Sequence, residues 1–253
     1  MNPPLVSVVV PVYNGERFLD AALESIQAQD YRRIEIIVVN DGSTDRTADI
    51  AQAVKGIRYL YQSNQGPAAA RNAGMGLARG EFIAFLDADD LLAPNKVDVQ
   101  VAYLMSHPEV GCAVARQVVF YEPGIEPPRW LSETEAKDEP HVGPAPPNRR
   151  RAMQVVRNGL LAAMVRRDIV ARLGGFNPVL NSAEDVEWLL HLWEAGVEIV
   201  VVPEAILYRR LHGGNLTFNR HSVRTGWLHL VKGRIDRSHP MIAFDTVGVA
   251  HGS

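Results

Sequence analysis

Three carboxylates crowd the segment Asp87-Ala88-Asp89-Asp90, directly after the apolar run Phe82 to Leu86. Carboxylates this close repel one another unless a cation joins them. A hard divalent ion is the natural guest, and Mg²⁺ or Mn²⁺ typically takes one or two carboxylates plus substrate phosphates. The bland reading is a solvated turn whose aspartate caps a helix starting at Pro94. Asp41 closes a second apolar run in Asn40-Asp41-Gly42-Ser43-Thr44-Asp45. There it could accept hydrogen bonds from a nucleobase or ribose, or merely shape an Asx-turn while Asp45 favours a helix dipole. In Gln65-Gly66-Pro67-Ala68-Ala69-Ala70-Arg71-Asn72-Ala73-Gly74 the small residues allow a close backbone approach at a helix start, a potential anion site. Arg71 could reach a base or a phosphate, or be an exposed residue on a packed helix. Ser182-x-x-Asp185 matches a capping box, whereas Glu184-Asp185 could supply a general base for an acceptor hydroxyl. His212-Gly213-Gly214-Asn215 offers a third metal ligand or a diphosphate contact, or just a polar loop.

Alternating strands and helices must position these groups. Val6–Val10, Ile34–Val39, Ile57–Tyr61 and Phe82–Leu86 read as strands, the continuous apolar runs implying burial on both faces. Between them, helical patterns open at Gly15, with Phe18, Leu19, Ala22, Leu23 and Ile26 on one face, at an N-cap Ser43 or Thr44, and at Pro67. A further helix starts at Pro94. Val110–Phe120, Leu160–Val165, Val197–Val202 and Ile206–Leu211 read as later strands, and a helix covers Ile169–Leu173. Another helix begins near Ser182, with Val186, Leu189, Leu190 and Trp193 as its apolar stripe. Repeated strand–helix units predict a mostly parallel sheet flanked by helices, with ligands outside the carboxyl ends of its strands. Asn14, Asp41 and the Asp87–Asp90 cluster all fall at such ends.

Composition narrows the class. The chain has 253 residues, 47% apolar and 22% charged, which excludes a disordered chain, a fibre or a coiled coil. Its formal net charge of −3 gives no field favouring nucleic acid. Cys112 is the single cysteine, which excludes a disulfide framework and a cysteine-based zinc site. No run approaches the ~20 apolar residues of a membrane span, and the first residues lack a signal-peptide pattern, so a soluble, cytoplasmic protein is expected. Residues 122–151 hold seven of the sixteen prolines and read as a long mobile loop. Residues 219–253 read as a helix and a flexible tail. In that helix Val223, Trp227, Leu230 and Val231 lie among Arg224, Lys232, Arg234 and Arg237, so it either packs on the domain or touches anionic lipid at the inner membrane face.

Taken in order, Val8-Val9-Val10-Pro11-Val12-Tyr13-Asn14-Gly15, Val39 to Asp45, Asp87-Ala88-Asp89-Asp90, Gly174-Gly175-Phe176, Glu184-Asp185 and Arg210 to Asn215 resemble the family 2 glycosyltransferases of GT-A fold. The resemblance covers roughly residues 5–217. It implies a Rossmann-like single α/β domain over 1–218, with a nucleotide-sugar half (1–105), an acceptor and catalytic half (106–218) and a C-terminal extension. It also implies inverting transfer from a nucleotide-diphosphate sugar, UDP-sugar being favoured. Carried over by position, Pro11, Tyr13, Asn14, Asp41 and Arg71 would line the nucleoside pocket, with Asp87 and Ala88 at the ribose. Asp89 and His212 would hold Mn²⁺ or Mg²⁺, and Asp185 would be the base. Asp90, Gly175, Phe176, Glu184 and Trp188 would face sugar or acceptor, which stays unassigned among saccharide, lipid-linked saccharide, peptide and small molecule. Processive synthases of this family carry Gln-x-x-Arg-Trp after the base, together with membrane helices. The only Arg-Trp pair here, Arg129-Trp130, precedes Asp185, so transfer of one sugar is expected. Two other readings stand beside this: a sugar-nucleotide-binding regulator without turnover, and a dinucleotide dehydrogenase. The second is disfavoured because no G-x-G-x-x-G follows the first strand.

Overall fold

Strand β1 (Val6–Val12) is buried at all seven positions. Successive side chains point to opposite faces, so β1 is covered on both sides. In the computed structural model, which describes residues 2–125, 162–180 and 182–215, it lies inside an eight-stranded sheet. The elements follow as α1 (Leu19–Gln27), β2 (Ile34–Asp41), α2 (Thr47–Ala53), β3 (Arg58–Gln62), α3 (Pro67–Leu77), β4 (Phe82–Phe85), β5 (Leu91–Leu92), α4 (Lys96–Ser106), β6 (Val110–Tyr121), β7 (Ala163–Arg166), α5 (Arg167–Leu173), α6 (Glu184–Glu194) and β8 (Glu198–Leu211).

The strand order is β3-β2-β1-β4-β7-β6-β8-β5. Neighbours are parallel except where β7 or β5 pairs. The chain therefore winds outward from β1 to β2 and β3, then returns to lay β4 on β1's other side. This reversal is a topological switch point, where open α/β sheets leave a crevice at the carboxyl ends of their strands. The expected α/β architecture is the one found. The expected mobile loop falls on 122–151, of which 126–151 lie outside the described residues, as do residues 216–253 with the C-terminal helix. Among the described residues no helix is long and apolar enough to cross a membrane.

Several local expectations need correction. Helix α2 starts at Thr47 with Arg46 as N-cap, not at Ser43 or Thr44, because both hydroxyl residues face the loop after β1. Helix α4 starts at Lys96, two residues beyond Pro94. The two final strands are one, β8. Its register against β6 jumps from Ala115↔Val202 to Arg116↔Ile206, and the irregularity absorbs Pro203, which cannot donate to a ladder. The capping box at Ser182 does not form: the N-cap of α6 is Ala183, at φ +62°. Helix α6 buries Val186, Trp188, Leu189 and Leu192, while Trp193 is 45% exposed. The stripe is rotated because Trp188 slots between Phe85 and Phe176, at ring-centroid distances of 6.0 and 4.9 Å.

The core also holds a fully buried lysine. Lys96 Nζ donates to Gln100 Oε1 at 2.8 Å, and Gln100 Nε2 donates to the carbonyls of Ala113 and Ala162. Burial pushes the Lys96 ammonium down to about 7, and the same desolvation pushes the Cys112 thiol up to about 12. Below pH 7 folded and unfolded chains both protonate Lys96, and the fold carries a buried charge. Above pH 7 the folded chain releases that proton while the unfolded chain keeps it. Stability should therefore rise with pH from 7 to ~8.5, by at most ~1.4 kcal/mol per unit. Beyond ~8.5 the unfolded thiol ionises while folded Cys112 keeps its proton, which opposes the gain. Urea midpoints at pH 6.5, 7.5 and 8.5 check this. The rise should vanish in Lys96→Met, and an equal rise in that variant would assign it to another group.

Candidate active site

The carboxyl ends of β1, β2 and β4 meet at the switch point, and their loops are laced together. Asn14, at φ +51°, donates its backbone N–H to Ser43 Oγ and accepts from the Thr44 N–H, both at 2.8 Å. The Gly15 N–H donates to Thr47 Oγ1 at 2.8 Å and the Glu16 N–H to Asp45 Oδ2 at 3.0 Å. Asp45 pays its desolvation through these bonds: burial pushes its carboxyl up, and the hydrogen bonds from Thr47 and Glu16 outweigh it and hold it low. Asn14 therefore acts as a clasp between two loops. Tyr13 beside it is 55% exposed, and Pro11 is buried in the strand.

Asp41 is only 3% exposed. Its Oδ1 accepts from Gln62 Nε2 at 2.7 Å and from the Gln65 N–H at 3.0 Å, and its Oδ2 accepts from the Gly66 N–H at 2.8 Å. The turn-shaping role weighed for Asp41 falls to Asn40, whose Oδ1 accepts from the N–H of Ser43, three residues on, at 2.9 Å. The loop before α3 is therefore not an open anion site, because the Asp41 carboxylate already occupies its amides. Gly66 holds φ +87°, a backbone that a side chain would strain. A carboxylate has about four acceptor positions, so one remains on Oδ2 for a ligand N–H.

Arg71 is 4% exposed. One terminal nitrogen meets Glu184 Oε1 at 2.6 Å and the other meets Asp87 Oδ1 at 2.9 Å. The guanidinium lies 5.7 Å from the Phe176 ring centroid. Its Nε–H is buried without an acceptor among the described residues. Burial pushes Glu184 above the usual carboxylate range, with Arg71 opposing and the Asp185 charge adding to the rise. Asp185 sits on the first turn of α6, partly exposed, with Oδ1 accepting from the Val186 N–H at 2.8 Å.

The β4–β5 turn carries the other acidic residues. The short strand β5 pairs antiparallel with β8, Leu91 opposite Tyr208, which brings Asp89 and Asp90 beside Arg210 and His212. Asp89 Oδ2 accepts from His212 Nε2 at 3.0 Å and from Asn215 Nδ2 at 2.9 Å. His212 Nδ1 accepts from the Gly214 N–H at 3.2 Å, so Nε2 carries the proton that it shares with Asp89. Asp90 is buried at 2% exposure and accepts from the Arg210 N–H at 2.8 Å. Burial, then the Asp87 charge, pushes Asp89 above its usual range, and burial with the Asp89 and Asp87 charges raises Asp90 further. Ala88 lies between these residues, close to Gly15.

Among the described residues no group of three or more His, Cys, Asp or Glu is disposed to hold a metal ion. Asp89 Oδ2 and His212 Nε2 lie 3.0 Å apart, and a cation held by both would displace the Nε2 proton that they share. That donor set fits a divalent cation completed by substrate phosphates, because Mg²⁺-type sites need only one or two protein carboxylates.

Of the residues expected at sugar or acceptor, Phe176 and Trp188 turn inward, while Gly175 is exposed. Phe176 is 3% exposed and Trp188 fully buried, with Trp188 Nε1 donating to the Gly174 carbonyl at 3.1 Å. At Gly175 a Cβ would lie 2.2 Å from Asn72 Oδ1. Asn72 needs that space, because it accepts from the Phe176 N–H and donates to the Phe176 carbonyl, each at 2.8 Å. Phe176 and Trp188 pack α6 on the sheet. Sequence reasoning missed Asn72 and Glu122. Glu122 binds Arg17 and Arg210 at 2.7 and 2.6 Å, and Arg210 also donates to the Asp89 carbonyl and lies between the Phe18 and Phe120 rings. The available signal was position: Arg210 lies near the end of β8 and His212 directly beyond it, beside the turn that carries Asp89.

A doubly wound α/β sheet with carboxylates around its switch point defines a nucleotide-binding class of fold. The family described as Glycosyl transferase family 2 matches residues 7–174, and the chain belongs to it. The matched region ends before Asp185 and His212. The chain is 40% identical over 112 residues to an uncharacterized glycosyltransferase of Haemophilus influenzae, covering 42% of this chain and 45% of the relative. It is 46% identical over 102 residues to one of Rickettsia typhi, covering 40% and 32%. The chain thus matches less than half the length of these curated relatives. Among solved structures, S. aureus TarS 1-349 in complex with UDP-GlcNAc aligns at TM-score 0.67 and 23% identity, covering 83% of this chain and 60% of that one. Mannosyltransferase PcManGT from Pyrobaculum calidifontis, in complex with GDP-Man and Mn²⁺, aligns at TM-score 0.67 and 20% identity, covering 93% and 65%. At these identities the likeness establishes the GT-A type fold.

Proposed function

We propose that the chain is an inverting glycosyltransferase that moves one sugar from a nucleotide-diphosphate sugar to an acceptor hydroxyl. The observation that carries this is the convergence, at one switch point, of Asp41, Asp87, the Asp89–His212 pair and the Glu184-Asp185 turn. The acceptor oxygen forms a bond to the anomeric carbon as the bond from that carbon to the diphosphate breaks. Asp185 takes the hydroxyl proton, and the nucleoside diphosphate leaves with the bonding electrons. Asp185 suits the role because it is partly exposed on the first turn of α6 and its Oδ2 accepts no hydrogen bond among the described residues. Asp89 and His212 would hold Mn²⁺ or Mg²⁺, which supplies charge stabilisation to the departing diphosphate. Asp87 would meet the ribose and Asp41 the base, with Tyr13 at the pocket mouth. The one acceptor position left on Asp41 suits the single ring N–H of uracil, so UDP-sugar is the favoured donor. TarS, of the same fold, binds UDP-GlcNAc, and PcManGT binds GDP-Man with Mn²⁺. The enzyme would work in the cytoplasm, with peripheral contact at the inner membrane face as a variant of the same reading.

A thermal-shift panel of UDP, GDP, dTDP and CDP, each with Mn²⁺ or with EDTA, tests this. Ligand at ~100 times its dissociation constant adds ~2.7 kcal/mol, a shift of ~5–10 °C for a chain of this size. UDP with Mn²⁺ should give the largest shift, and EDTA should remove most of it. No shift with any nucleotide would sink the donor site. Binding without turnover of any acceptor pool would make the chain a sugar-nucleotide-binding regulator instead.

A further inference from the structure

We propose that Arg71 is a positioning residue that sets Asp185 against the donor, a buried fork joining the donor-side carboxylate Asp87 to the first residue of the base-bearing helix. The inference rests on the transferase reading above and replaces the nucleoside contact that the resemblance implied for Arg71. Asp87 and Glu184 lie 16 and 113 residues from Arg71 in sequence and on opposite halves of the site. Each takes one terminal nitrogen of the same guanidinium, at 2.9 and 2.6 Å. Only a planar guanidinium can hold two carboxylates in this way, since an ammonium is a point charge. The fork is 4% exposed and rests on Phe176, which stacks on Trp188 of α6. Asn72, one residue along α3, clamps Phe176 through both its backbone groups. Helix α3 thus grips the segment before α6 with Asn72 and the start of α6 with Arg71.

Charge gives the fork a second effect. Asp185 is faced by Arg71 from α3, by Asp87 across the fork, and by Glu184 and Glu187 of its own first turn. Arg71 is the sole cation among these groups. Without it, Glu184 would hold its proton to higher pH, and α6 would lose its tie to the turn after β4.

Full-length Arg71→Lys, Arg71→Met, Glu184→Gln and Arg71→Met/Glu184→Gln chains test this in three measurements. In urea, adding Glu184→Gln to Arg71→Met should restore at least about tenfold in the folded-to-unfolded ratio; additive losses would show that the pair is not coupled. By calorimetry, the Kd for UDP with Mn²⁺ should stay within about threefold in Arg71→Lys; a loss beyond about tenfold would mean that Arg71, through its spare Nε–H, reads the nucleotide. In turnover, kcat should fall at least about 100-fold in Arg71→Met/Glu184→Gln, with partial recovery in Arg71→Lys. The acid limb of kcat/KM should move to higher pH in Arg71→Met and stay in place in Arg71→Lys, which keeps the charge, a split that a simple loss of folded protein would not produce. An unchanged kcat and an unmoved limb would overturn the positioning role while leaving the transferase standing. A wild-type chain without turnover would instead sink the transferase reading and this proposal with it.

Discussion

Asp185→Asn should abolish turnover while leaving the donor site intact. The amide keeps the size of the carboxylate, and its Oδ1 can still accept from the Val186 N–H, so α6 should start in the same place. What disappears is the basic oxygen that we propose accepts the hydroxyl proton. General-base loss removes about 10²–10⁴ in rate. Release of nucleoside diphosphate in an acceptor mixture should therefore fall by that factor, while the Kd for UDP with Mn²⁺ changes by less than about threefold. A variant within about tenfold of the native rate would move the base elsewhere, with Glu184 the nearest candidate.

Asp89→Asn should strike the other half of the chemistry. Its neutral oxygen can still accept from His212 Nε2 and Asn215 Nδ2, so the β5–β8 junction should hold. The negative charge that a divalent cation needs is gone. UDP affinity with Mn²⁺ should drop at least about 100-fold, more than the 10–100-fold that outer partners of a metal ligand command. Affinity in EDTA should barely change, since the nucleoside contacts near Asp41 are untouched. Equal losses with and without Mn²⁺ would show that Asp89 shapes the loop rather than holds a cation.

Sequence patterning made the strands legible because they are buried on both faces. Apolar runs such as Val6–Val10, broken only by the small Ser7, and Phe82–Leu86 leave little alternative to an interior parallel strand. Small residues and Pro67 likewise placed α3. Where burial is one-sided the pattern misled. The stripe of α6 was read through Trp193, whereas Trp188 is the residue driven inside, because Phe85 and Phe176 form a slot for it only once the chain has folded. The break at Pro203 looked like a strand end, and only the register against β6 shows that the strand continues past it.

At the site, the sequence by itself determined which chemistry was available: acidic residues after buried strands, a Glu184-Asp185 pair opening a helix, and a histidine after a strand. The tertiary structure decided which of them are committed to each other. A carboxylate and its partner lie tens of residues apart, and nothing local encodes their meeting. Asp41 fills the amides before α3, Arg71 spans Asp87 and Glu184, and Asp89 meets His212 across the two-residue strand β5. Spacing along the chain gives side chains their faces, but a buried ionic group is defined by its partner, and partners are assigned by the winding of the sheet.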